Sequence, residues 1–249
     1  MLLQGKTAIV TGSSRGIGAA TVKLLAAHGA GVAVNYCGNK EKGEEVLGDI
    51  QKAGGKAILV QADVTDREQV DRMVARVESE LGPVDILVNN ANMSFPVKPF
   101  VEFAWEDFER KILNEMKASF YCCQAVVPGM VRRKNGCIVN VSSGLSRVPG
   151  PGFIAHCSAK SALDAFSKSL ALELGPNGIR VNVVAPGLTL TDATAHQPKE
   201  MHQAVAAHTP LRRLGLPEDI AGAVLFYCTD WAKFISGTYL PASGGTQMT

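Results

Sequence analysis

The stretch "KTAIVTGSSRGIG", residues 6–18, decides how the rest of the chain is read. Its first half is a short apolar run of the kind that forms a strand buried on both faces. Its second half places glycines at 12, 16 and 18. Those glycines permit a tight turn and let a pyrophosphate approach the backbone N–H groups at the start of a helix. A glycine turn set between strand and helix predicts nucleotide binding through Gly12, Ser14, Arg15, Gly16, Ile17 and Gly18.

Working outward, five more runs follow the same pattern: "GVAVNY" (31–36), "KAILVQADV" (56–64), "VDILVNNA" (84–91), "GCIVNVSS" (136–143) and "IRVNVVAPG" (179–187). Helical spacing separates them, as in Ile17, Thr21, Leu24, Leu25 and in Val70, Met73, Val74, Val77. Strand–helix alternation predicts an α/β fold, a single Rossmann-type doubly wound parallel sheet with helices on both faces. No linker or repeat divides the 249 residues, so one domain over 1–249 is expected. The segment 188–212, with Pro198 and Pro210, breaks the rhythm. It reads as a substrate loop or lid, since ligands of such sheets sit beyond the carboxyl ends of the strands.

The second strand ends without the acidic residue that would accept a hydrogen bond from an adenosine ribose 2′-hydroxyl. Asn35 and Tyr36 stand there, with Arg15 in the glycine turn. An arginine and neutral donors suit a 2′-phosphate, so NADP(H) is expected over NAD(H). Asp63, beside Val64, suits the adenine edge, and Asn90 and Ala91 of "NNA" suit the floor of the cleft.

With 46% hydrophobic and 19% charged residues and a formal net charge of +2, composition is that of a soluble protein. It gives no global attraction to nucleic acid or acidic membranes. No leader and no run long enough to span a bilayer are read, and six cysteines without CxxC pairing suggest reduced thiols in the cytoplasm. His196, His202 and His208 lack metal-helix spacing, so no metal is expected. His28 beside Gly29 reads as a helix end. Arg212 and Arg213 read as a solvated turn. No "GxSxG" elbow supports a hydrolase.

Together, "TGSSRGIG", "ADV" (62–64), "NNA" (89–91), "VNVSS" (139–143) and "RVNVVAPG" (180–187) resemble the short-chain dehydrogenase/reductase family, and within it the ketoacyl carrier-protein reductases. The resemblance implies a sheet of about seven strands, a nicotinamide cofactor, a ketone or acyl-thioester substrate and a homo-oligomer, usually a tetramer. It implies that Ser143 holds the substrate carbonyl and that Lys160 binds the nicotinamide ribose. Pro186, Gly187, Thr189 and Thr191 would lie along the nicotinamide.

Two catalytic positions depart from that pattern. The family's tyrosine, thirteen residues after the serine and four before the lysine, falls on His156. Aligning the family's "NLKGVF" on "EMKASF" (115–120) puts its helix asparagine at Glu115. Neutral imidazole is a poor acid, and a lysine ammonium nearby pushes its pKa down. A carboxylate within several ångströms works in the opposite direction. Glu115 and His156 are therefore expected to form a compensating pair that keeps an acid–base group in the tyrosine's place. The leading expectation is an NADP(H)-dependent reductase of a β-ketoacyl thioester or other ketone. The alternatives are a non-redox acid/base enzyme (isomerase, dehydratase or cyclase) or an inactive cofactor-binding subunit. Met93, Phe95, Pro96 and Phe100 suggest an apolar pocket wall.

Overall fold

A computed structural model describes residues 1–195 and 197–247. His196 lies outside the described residues. Seven parallel strands form one sheet in the order β3-β2-β1-β4-β5-β6-β7. The strands are β1 Thr7–Val10, β2 Gly31–Tyr36, β3 Ala57–Gln61, β4 Ile86–Asn89, β5 Gly136–Val141, β6 Ile179–Pro186 and β7 Tyr239–Ala242. The helices are α1 Gly16–Ala27, α2 Lys40–Lys52, α3 Arg67–Leu81, α4 Trp105–Arg133, α5 Ile154–Leu174, α6 Lys199–His208 and α7 Pro217–Cys228. The expected doubly wound α/β architecture is the observed one.

Alternation along each strand feeds two cores. Ala8, Val10, Val32, Val34, Val88 and Val139 face α1, α2 and α7, against Val22, Leu25, Ile50 and Val224. Ile9, Ala33, Leu87, Ile138 and Val181 face the opposite way, toward Val70, Met73, Val77, Cys122, Val126 and Met130 of α3 and α4. Both faces are covered, which is why the strands read as continuous apolar runs. The four apolar positions expected of α3 are all buried. Its N-cap Asp66 accepts from the Gln69 N–H, and Asn39 caps α2 in the same way through the Lys42 N–H. Each cap is worth about 1 kcal/mol. His28 is the C-cap of α1.

The strand order reverses direction between β1 and β4, opening a crevice at the carboxyl ends of those strands. The segment after β6 returns over that end. Its base is pinned by the bridge of Thr189 to Gly215, and within it lies α6, none of whose residues is more than partly buried.

Candidate active site

The glycine turn is built into the sheet by Asn35. Its Oδ1 accepts from the Gly12 N–H at 2.9 Å, its backbone N–H donates to Ser13 Oγ at 2.9 Å, and its Nδ2 donates to the Ala62 carbonyl at 3.1 Å. Asn35 is buried with its polar atoms committed to protein partners. It is therefore not a donor for a 2′-phosphate, which corrects the sequence expectation. Tyr36 is buried as well, its ring against Gly43. Arg15, exposed at the N-cap of α1, remains available at the mouth of the turn.

The turn also meets "NNA" at contact distance. Thr11 Oγ1 accepts from the N–H groups of Asn90 and Ala91 at 2.9 and 3.0 Å, and Asn90 Nδ2 donates to the Thr11 carbonyl at 2.9 Å. Gly12 has φ +61°, and a Cβ there would lie 3.0 Å from Ala91 Cα; one on Gly18 would lie 2.5 Å from Asn90 Nδ2. A close backbone cradle beside a helix N-terminus fits a dinucleotide pyrophosphate. Ser14 and Ile17 lie half-buried along it. The Val64 side chain is in the core, leaving only its backbone for a ligand. Asp63 Oδ1 accepts from the N–H and hydroxyl of Thr65, both at 2.8 Å.

At the far end of the crevice, Gly187 follows Pro186 of β6 and packs on Ser243. The Thr189 hydroxyl donates to the Gly187 carbonyl at 3.0 Å, and Thr191 approaches Gly16, where an added Cβ would lie 3.4 Å from its Cγ2. The next residue, Asp192, pairs with Lys42 of α2 at 2.5 Å.

Between these ends lies a buried charged cluster. Glu115 on α4 is 2% exposed. Its Oε1 accepts from Lys160 Nζ at 2.5 Å and its Oε2 from Lys111 Nζ at 2.6 Å. Lys160 also donates to the Val141 carbonyl at 2.8 Å. Lys111, 0% exposed, donates further to Asn92 Oδ1 at 2.7 Å and to the Met93 carbonyl at 2.9 Å. Burial pushes Glu115 up, but the two ammonium groups outweigh it and hold the carboxyl at about 2. For Lys111 burial wins over the carboxylate, and its amine falls to about 8. Both values fall, which favours the charged carboxylate but opposes the charged amine, because one anion is shared by two desolvated cations.

His156, in the first turn of α5, stacks on Phe95 with ring centroids 4.7 Å apart and planes 16° apart. Its Nδ1 is buried without a partner. The residue is 8% exposed, and of its two ring nitrogens only Nδ1 is fully buried without a partner. Burial, then Lys160 and Lys111, lower its pKa to about 3, and Glu115 opposes them only weakly. The expected Glu115–His156 ion pair is thus not formed. The carboxylate is consumed by two lysines, and the imidazole is neutral. Ser143, half-buried after β5, accepts from the Leu145 N–H at 3.2 Å, so its own hydroxyl proton is free to donate.

Comparison with known proteins identifies the family. A model of the enoyl-(acyl carrier protein) reductase family of short-chain enzymes matches residues 12–247. The chain belongs to the short-chain dehydrogenase/reductase family. It is 38% identical over 245 residues to the 3-oxoacyl-[acyl-carrier-protein] reductase FabG of Staphylococcus aureus, covering 98% of each chain. An uncharacterised oxidoreductase of Methylorubrum extorquens is 40% identical over 248 residues, covering 98% of this chain and 99% of that one. Another, YgfF of Escherichia coli, is 37% identical over 244 residues. The chain is an oxidoreductase, and a short-chain fold of this type uses a nicotinamide cofactor.

Sequence reasoning missed Lys111, Asn92 as its partner, and Phe95 as the plate beneath His156. The i,i+4 spacing of Lys111 and Glu115 puts the two on one helix face but does not by itself distinguish a buried pair from a solvated one.

Proposed function

We propose that the chain is an NADP(H)-dependent ketoreductase acting on a β-ketoacyl thioester or a related ketone. The observation that supports this best is the pairing of two free donors at the carboxyl end of β5 and the start of α5. These are the Ser143 hydroxyl and the Nε2 side of His156. Bound NADPH supplies hydride to the carbonyl carbon. Ser143 orients the carbonyl oxygen, and His156 donates to it as a neutral N–H, a role in which imidazole polarises carbonyls where positive charge keeps it unprotonated. The alkoxide left by hydride transfer takes its proton from solvent, while the Ser143 and His156 donors stabilise its developing charge. Arg15, and Lys42 once released from Asp192, would hold the 2′-phosphate.

Homo-oligomerisation and action in the cytoplasm complete the reading. Exposed Phe120 on α4 beside Phe166 on α5 supports the first, and six free cysteines support the second. Following NADPH absorbance with a panel of β-ketoacyl thioesters and simple ketones tests the function. Oxidation with any of them supports it. NADPH binding without oxidation across the panel removes it in favour of a non-redox site or a cofactor-holding subunit.

A further inference from the structure

We propose that Lys111 is a positioning residue for this reaction: it fastens the segment 92–95 to α4 so that Phe95 holds the His156 ring at the crevice. The proposal rests on the reductase reading for its kinetic readouts only.

Lys111 is a long cationic side chain with no access to water. Burying such a group is costly unless every donor is matched. Here the three N–H groups meet three acceptors: Asn92 Oδ1, the Met93 carbonyl and Glu115 Oε2. Two of these lie in the strand-to-helix connection that follows "NNA", and the Met93 N–H returns to Glu115 Oε2 at 3.3 Å. That connection otherwise has little regular structure before α4. Lys111 and Glu115 are the groups that tie its first residues down. Two residues further on, the Phe95 ring lies 5.0 Å from Lys111 Nζ and stacks on His156. One ammonium therefore fixes both the backbone that presents Phe95 and, through a cation–π contact, the ring itself.

The same ammonium acts on the imidazole by charge. The charged groups acting on His156 are Lys160 from its own helix and Lys111 and Glu115 from α4. With Lys111 present they sum to one positive charge; without it they sum to zero. Lys111 thus fixes the ring in place and favours its neutral N–H form.

Three variants test this, with the His156 imidazole titrated by NMR and the affinity for NADPH measured by fluorescence, neither of which needs turnover. Lys111→Met should raise the proton affinity of His156 about tenfold or more, lower kcat about tenfold, and leave NADPH affinity within about twofold. Lys111→Met combined with Glu115→Gln removes one charge of each sign and so guards against a misfolded single variant. It should leave the titration near that of the parent while kcat still falls. Phe95→Leu opens the ring to water without touching the charges, and should raise the titration and lower kcat. A purely structural Lys111 would lower the melting temperature with no change in the titration or in kcat of the folded fraction; that result overturns the proposal. If no ketone is reduced even by the parent, the reductase reading fails. The three titrations still decide whether Lys111 sets the state of His156.

Discussion

At the scale of single residues, the site carries one net positive charge, by a different route from the one the sequence suggests. The sequence suggests an imidazolium, a glutamate and a lysine, which sum to one positive charge. The fold reaches the same sum with two lysines, a glutamate and a neutral imidazole. This arrangement has a consequence for acid stability. His156 titrates at about 3 in the folded chain against 6.5 for the free group. Between those values the unfolded chain binds a proton that the folded chain refuses, so stability falls as pH drops through this window. Glu115, at about 2 against 4.5, adds loss of the same sense at lower pH. Lys111, at about 8 against 10.5, makes stability rise with pH between those two values. A pKa unit is about 1.4 kcal/mol, so the His156 contribution is on the order of a few kcal/mol across its window. The melting temperature of the parent should fall more steeply between pH 6.5 and 4 than that of His156→Gln. Parallel curves would show that the imidazole is not held neutral. His156 and Glu115 were legible because each occupies a position whose register the motifs define. Lys111 was not, because a lysine four residues before a glutamate on a helix ordinarily marks a solvated face, and only packing against the 92–95 segment reveals its burial.

At the scale of elements, the six apolar runs were readable because burial on both faces leaves a continuous signature. The seventh strand, Tyr239–Ala242, was not. It is four residues long, half-buried and contains Pro241, which is tolerated at a sheet edge and erases the pattern. Helix α6 was hidden for a related reason, since a helix with only partly buried side chains leaves a weak apolar stripe to detect. Asn35 misled in the opposite way: its place at the end of β2 suggested a ligand contact, but the glycine turn uses it. This shifts the cofactor question onto the contact between elements made by Lys42 of α2 and Asp192 of the segment after β6. Both side chains are roughly half exposed, so the ion pair itself contributes little to stability. Asp192 also feels Arg15, which places a carboxylate among the cations expected to receive a 2′-phosphate. Asp192→Asn should therefore tighten NADPH binding several-fold and leave NADH nearly unchanged, with the gain shrinking at high salt. Equal changes for the two cofactors, read by fluorescence titration, would remove Lys42 and Arg15 from phosphate recognition.

At the scale of the whole molecule, the helices that carry the buried charged cluster also present exposed apolar side chains. Helix α4 carries Lys111 and Glu115 inward and Phe120, 45% exposed, outward. Helix α5 carries His156 and Lys160 inward, with Phe166 6.3 Å from the Phe120 ring and Leu172 83% exposed. The Phe120–Phe166 pair across two adjacent helices is suited to a second copy of the same face, since a two-fold contact buries like against like. A stable contact needs about 800 Å² from each partner, more than Phe120 alone provides, so its neighbours on both helices would have to take part. Phe120→Glu places a charge at the centre of that face. It should shift the particle in light scattering toward the monomer mass while NADPH affinity holds, because the glycine turn lies between β1 and α1 and not on α4 or α5. Activity should fall along with mass, since loosening the outer face of α4 and α5 loosens the two helices that the Glu115–Lys160 pair joins. An unchanged particle mass would place self-association on another surface. A fully active monomer would show that the buried cluster holds its geometry without a partner.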